Sequence, residues 1–247
     1  MAYSGNKFVS GKKRRGGKKS ISAVALLLCV IAVVGYFMGG STPPEVPDGF
    51  DYAEVPEYSG EPVAEIHGNI PLFAQNEVVD TAYEDYAPLD SLGRCGSAMA
   101  CIGTELMPTE KRGDIGMIKP AGWHTVRYDD LISDKYLYNR CHLIAFMLAG
   151  ENANERNLTT GTRYLNVEGM LPYEDEVCDY VKSTGNHVMY RVTPVFVGKE
   201  LVARGVLMEA YSVEDGGRGV QFCVFAYNVQ PGIVIDYATG ESRRAES

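Results

Sequence analysis

The chain has 247 residues, 45% of them hydrophobic and 22% charged, with 32 acidic against 23 basic side chains and a formal net charge of −9. This is the composition of a globular protein, long enough for one large domain or two small ones. The acidic balance excludes binding of nucleic acid through a general positive field; such a substrate would need a local basic patch or a metal ion.

Residues 1–20 carry Lys7, Lys12, Lys13, Arg14, Arg15, Lys18 and Lys19 and no acid. Residues 21–38, "ISAVALLLCVIAVVGYFM", carry no charge at all, and their length is close to what a bilayer core of roughly 30 Å requires of a helix. The pattern predicts a basic cytoplasmic N-terminus followed by one transmembrane helix acting as a signal anchor, with everything downstream outside the cell. A cleaved signal peptide with a secreted product, and a buried core helix, are the alternatives; "GGST" is a poor cleavage site. Seven of the 23 basic residues lie before the apolar run, leaving 16 against 32 acids on the exterior side.

Residues 39–62 are rich in Pro, Glu and Asp, which predicts an extended, solvated linker. A folded domain is expected over 63–237 and a frayed polar tail over 238–247. Cys95, Cys101, Cys141, Cys178 and Cys223 make an odd count outside the membrane, so at most two internal disulfides can form. "CGSAMAC" is poorly spaced for a zinc knuckle.

Within the domain "GWHTVRYDD" and "YLYNRCHLIAF" look like two strands. An asparagine-rich loop, "AGENANERNLTTGTRYLN", leads into a helical turn over "RYLNVEGM". Val177, Tyr180 and Val181 in "EDEVCDYVKSTG" have helical spacing, with acids in the first turn, Pro172 before them and a stop at Gly185. Three β-branched and aromatic runs follow, "HVMYRVTPVFV", "LVARGVLMEAYSV" and "VQFCVFAYNV", joined by short turn-like segments, and read as an antiparallel meander. Strands, a helix and then a meander make the fold class α+β with an antiparallel sheet. The aromatic residues of the meander are expected to pack the core.

His142, in "YNRCHLIAF", could be a core residue, a metal ligand, half of a Cys/His pair or a general base. Cys141 and His142 point to opposite faces of a strand, which disfavours a thiol nucleophile. Asn166 lies at the start of a helix, with Glu174 eight residues on, about two turns if the helix is continuous. Together these residues suit phosphodiester hydrolysis. His142 would activate water, Asn166 would offer a carbonyl oxygen to a hard cation such as Mg²⁺, and Glu174 would hold one of the cation's waters. Arg140 would either contact phosphate or pair with a local acid. His124, beside Trp123, is expected to be structural, and His67 and His187 have no evident partners.

"YNRCHLIA", then "NERNLTTGTRYLN", then "EGMLPYE" resembles the active-site segment of the DNA/RNA non-specific endonucleases, the ββα-metal or His-Me finger nucleases. The resemblance extends from about Tyr58 to Val234. It implies a ββα-metal core, His142 as general base, Asn166 as metal ligand, Glu174 beside the metal's waters, and Asn157 as a second asparagine near the catalytic centre. It further implies Mg²⁺, Mn²⁺ or another divalent cation as cofactor, DNA and also RNA as substrates, and a product with a 5′-phosphate. Lys111 and Arg112 lie where family members place cationic residues that contact DNA. Two positions depart from the family's Asp-Arg-Gly-His: Asn139 stands for Asp, keeping an acceptor but losing a charge, and Cys141 stands for Gly. Cys141 is expected in the core or in a disulfide, with Cys95 the first partner to test. A nuclease fold retained only for binding DNA or a protein partner is the competing reading.

Overall fold

In the computed structural model, which describes residues 1–2 and 42–246, the folded chain is built from short strands around one long helix. In chain order these are β1 (Val63–Glu65), β2 (Tyr83–Tyr86), β3 (Ala98–Ile102), β4 (Tyr138–His142), the one-turn helix α1 (Phe146–Ala149) and β5 (Leu158–Thr162). A π-helical turn, Leu165–Met170, continues into α2 (Leu171–Thr184). After it come β6 (Val188–Val195), β7 (Gly205–Ser212), β8 (Gln221–Tyr227), β9 (Ile233–Ile235) and β10 (Ser242–Arg244). Six strands form an antiparallel sheet in the order β1-β8-β7-β6-β3-β2, while β4 pairs with β5 and β9 with β10. This is the α+β arrangement expected. The apolar segment 21–38 lies outside the described residues, and among those described no helix is long and apolar enough to cross a membrane.

Side-chain alternation gives the sheet two different faces. Along β8, Phe222, Val224 and Ala226 join Val206, Met208 and Ala210 of β7 in the main core, against Val177, Cys178 and Val181 of α2. The intervening Cys223, Phe225 and Tyr227 face the other way, toward Leu207 and Phe50. That second face is covered by the segment expected to be a solvated linker. Phe50 stacks on Phe225 with ring centroids 6.5 Å apart, Tyr58 meets Tyr227 edge-on at 5.5 Å, and Tyr227 donates its hydroxyl hydrogen to the Pro56 carbonyl at 2.6 Å. Aromatic residues placed among the prolines give this stretch apolar area to bury, so residues from about 50 onward belong to the domain.

Three further expectations are corrected. "GWHTVRYDD" forms no strand; its only ladder contact is a single bridge pair, Arg127 with Tyr136, and Tyr128 to Ile132 close a turn. The polar tail contains β10, whose Ser242, Arg243 and Arg244 pair with Ile235, Val234 and Ile233. The five cysteines from Cys95 to Cys223 are buried free thiols, and Cys95 is not bonded to Cys141. Burial pushes the Cys95 thiol up to about 12.

A charged pair is enclosed on the second face of the sheet. Arg191 of β6 lies opposite Glu209 of β7 and donates to it through Nε at 2.7 Å and Nη2 at 3.1 Å. The Glu209 side chain is fully buried, and it also accepts from the Leu72 backbone at 2.7 Å. Breaking one side of such a pair leaves an uncompensated buried charge. Glu209→Ala is therefore expected to cost about 3–5 kcal/mol, read as a lower urea midpoint, whereas replacing both residues with apolar ones should cost much less.

Candidate active site

The β4-β5 hairpin sets the site. Alternation along β4 sends Cys141 into the core and His142 into a cleft of about 720 Å³, lined also by Arg112, Arg140, Asn166 and Glu174. The thiol of Cys141 occupies the space that a Cβ at Gly161 of β5 would need. A cysteine is thus accommodated at position 141 because its diagonal neighbour on β5, the glycine paired with Asn139, has no side chain.

His142 is oriented from both nitrogens. Its Nε2 lies 2.9 Å from the Asn152 backbone carbonyl, which can only accept, so Nε2 carries the hydrogen. The lone pair is then on Nδ1, and Arg112 donates to it through Nη2 at 3.2 Å. The imidazole pKa lies below its ordinary value. Burial is the main cause, the Asn152 carbonyl opposes the shift, and the nearby Arg112 charge adds to it. The ring is therefore held neutral in one tautomer, with its basic lone pair on Nδ1 and engaged there by Arg112.

Asn157 does not line the cleft. It is fully buried, its Oδ1 accepts from the Ile144 backbone N–H at 2.8 Å, and its Nδ2 donates to the Ile144 carbonyl at 2.9 Å. Its own carbonyl accepts from Leu143 at 2.9 Å. It therefore clamps the chain directly after His142, both of its side-chain polar atoms being engaged by the Ile144 backbone.

Asn166 and Glu174 reach the same cleft because of the π turn. An α-helix advances about 100° per residue, so eight steps would leave the two side chains roughly 80° apart. In the π turn the Leu171 N–H donates to the Asn166 carbonyl, five residues back, and the turn absorbs one extra residue. Eight steps then count as about seven, close to two whole turns. Pro172, which has no N–H to give, follows immediately, where the widened turn relieves its clash with the preceding carbonyls.

Burial pushes the Glu174 carboxyl up to about 8, Asp175 adding to the shift and Arg112 opposing it. No hydrogen bond or ion pair reaches that carboxyl among the described residues. Nor, among them, does any group of three or more His, Cys, Asp or Glu side chains suit a metal ion. One amide oxygen and one enclosed, unpartnered carboxyl form a sparse oxygen donor set. It fits a hard divalent cation that keeps most of its waters, and does not make a closed zinc cage.

The cationic residues divide. Arg112 is in the cleft, but Lys111 is exposed and lines a neighbouring surface depression instead. Arg140 pairs with no acid among the described residues. It donates to the carbonyls of Ile118 and Gly116, the latter at 2.8 Å, and stacks 4.0 Å over Trp123. It thus fixes the loop that forms one cleft wall. Asn139 lines the cleft, and its Nδ2 is buried without a partner. Sequence reasoning missed Asn152, which acts through a backbone atom common to all residues, and Trp123, whose role depends on Arg140. His187, read as lacking a partner, lies 2.6 Å from Glu214.

A family model described as DNA/RNA non-specific endonuclease matches residues 75–214. A deoxyribonuclease of Streptococcus dysgalactiae subsp. equisimilis is 33% identical over 112 residues, 43% of this chain. The match spans only 33% of that relative's length. The crystal structure of NucA from Streptococcus agalactiae with magnesium ion bound is similar with a TM-score of 0.67 and 28% identity, covering 78% of this chain and 91% of the other. The structure of Sda1 nuclease with bound zinc ion shares the fold, with a TM-score of 0.62 and 24% identity over 75% of this chain and 97% of the other.

Proposed function

The chain belongs to the DNA/RNA non-specific endonuclease family, and from that premise we propose that it hydrolyses phosphodiester bonds of DNA, and of RNA as a second substrate, with little regard to sequence. The observation that carries this reading is the His142 ring, tied at Nε2 to the Asn152 carbonyl and accepting at Nδ1 from Arg112, another residue of the cleft lining. Nδ1 takes a proton from a water molecule as the water oxygen bonds to phosphorus. The bond from phosphorus to the 3′-oxygen breaks, leaving a 5′-phosphate on one product and a hydroxyl on the other, the second proton coming from solvent. Arg112, already within reach of Nδ1, donates to a phosphate oxygen and steadies its charge.

Asn166 would hold a divalent cation through its amide oxygen, with Glu174 taking one of the cation's waters. When bound, the cation supplies positive charge to the phosphate and the departing oxygen. Magnesium in the NucA crystal supports this choice of ion class. The chain's own groups need Glu174 ionised, which a nearby cation favours over the neutral acid that burial alone would keep. Anchoring through residues 21–38, with the enzyme facing outward, is proposed from the charge pattern about that segment.

The test is plasmid cleavage by the full chain with Mg²⁺, with EDTA, and by Asn166→Ala. Cutting is expected to stop in EDTA. Asn166→Ala should lower it by roughly 10² or more at limiting metal, with partial recovery at high metal concentration. Cutting that persists in EDTA would overturn the metal assignment. No cutting by the wild type with any divalent ion would favour a nuclease fold kept for binding.

A further inference from the structure

The cleft is longer than the chemistry at His142 requires. Tyr138, Arg140 and His142 alternate along one face of β4, and Tyr136, just before the strand, lines the same cleft. At a rise of about 3.3 Å per residue the chain from His142 to Tyr136 spans at most roughly 20 Å. That is about six nucleotides at the duplex spacing of ~3.4 Å, and fewer along a stretched single strand. Tyr136 is 45% exposed, unusual for a large aromatic side chain lining a cleft.

The surroundings of Tyr136 are built. The Arg127 guanidinium lies over its ring, 5.3 Å from the centroid. Arg127 is itself held by two bonds to Asp129, at 3.0 and 3.1 Å. Arg163, also in the cleft, is held by Asp134 at 2.8 Å. With a carboxylate on each guanidinium, this end of the cleft offers little net positive charge to phosphate. What it offers is an aromatic face backed by a cation.

Resting on the endonuclease reading, we infer that Tyr136 is the platform of a base-stacking subsite for an unpaired nucleic-acid strand, several nucleotides from the scissile phosphate. Bases inside a duplex already stack on one another, so only an unpaired base is free to meet the ring. Every base has a π-face, so such a contact adds affinity without adding sequence preference. It is a specificity device for strand state and length.

The test measures kcat/KM of the full chain on single-stranded oligonucleotides of about 3 to 12 residues and on duplexes of the same sequences. For the wild type, kcat/KM should rise with single-strand length and level off once the strand spans the cleft. Tyr136→Ala should flatten that rise, losing roughly tenfold on long single strands, mostly through KM. It should leave the shortest oligonucleotides and the duplexes nearly unchanged. Tyr136→Phe, which keeps the ring, should behave like the wild type. Equal activity of Tyr136→Ala and wild type on long single strands would overturn the inference, as would an equal loss at every length. A wild type that cuts nothing would instead remove the endonuclease reading and this subsite with it.

Discussion

His142→Ala is expected to lower kcat/KM on plasmid DNA by roughly 10²–10⁴, the usual range for loss of a positioned general base. The ring makes no contribution to the sheet core, so the variant should remain folded, as shown by an unchanged circular dichroism spectrum. The pH profile gives the sharper measurement. Catalysis needs the neutral imidazole, so activity should fall as the pH drops through the His142 pKa. Burial holds that pKa below the ordinary histidine value, with the Arg112 charge adding to the effect. The acid limb should accordingly lie lower than for an exposed histidine, and it should be absent from the residual activity of His142→Ala. Stability has the same sign. Below its ordinary pKa an unfolded His142 takes up a proton that the folded ring resists, so the fold is weakened as pH falls across that interval and keeps the full contribution above it. An acid limb unchanged in His142→Ala would assign the base to another group.

Asn157→Ala should be the most damaging single change to the site that touches no substrate. It leaves the N–H and the carbonyl of Ile144 buried without partners. At about 1–3 kcal/mol for each unsatisfied group, the loss is roughly 2–6 kcal/mol, measurable by urea unfolding. Because the clamp begins one residue after His142, kcat should fall as well, while the pH limb stays where it is. Asn157→Asp keeps the acceptor and gives up the donor, and should fall between the two. Lost activity with undiminished stability would show that Asn157 acts on substrate after all.

How much of this was legible beforehand depended on which atoms do the work. The meander could be read because β-branched and aromatic residues alternate across two buried faces, and Phe222 and Phe225 demonstrate the alternation directly. That His142, Asn166 and Glu174 would meet in one place could be read because their side-chain chemistry suits a common task, and all three line the cleft. The contacts of Asn157 and Arg140 were hidden for one common reason: both spend their polar atoms on backbone groups, and a sequence does not announce which carbonyl lies nearby. The Asn152 carbonyl was illegible on the same ground. The π turn was hidden too, since the distance from Asn166 to Glu174 in residues does not reveal how many degrees they turn. In the 39–62 segment, proline and acid content masked the aromatic residues that actually dock.

The terminal ribbon of β9 and β10 gives the molecule an order in time. Tyr138, in the cleft wall, donates its hydroxyl hydrogen to the Gly240 carbonyl at 2.9 Å, and Arg244 reaches Asp130 at 3.0 Å. These contacts join positions separated by 102 and 114 residues. A chain that emerges N-terminus first therefore exposes His142, Asn166 and Glu174 well before it contains the residues that close the wall around them. Contacts so distant in sequence also form late in folding, because their loop-closure cost comes first. The wall residue Tyr138 thus gains this contact only after β9 and β10 have been made and docked, well after His142, Asn166 and Glu174 are present.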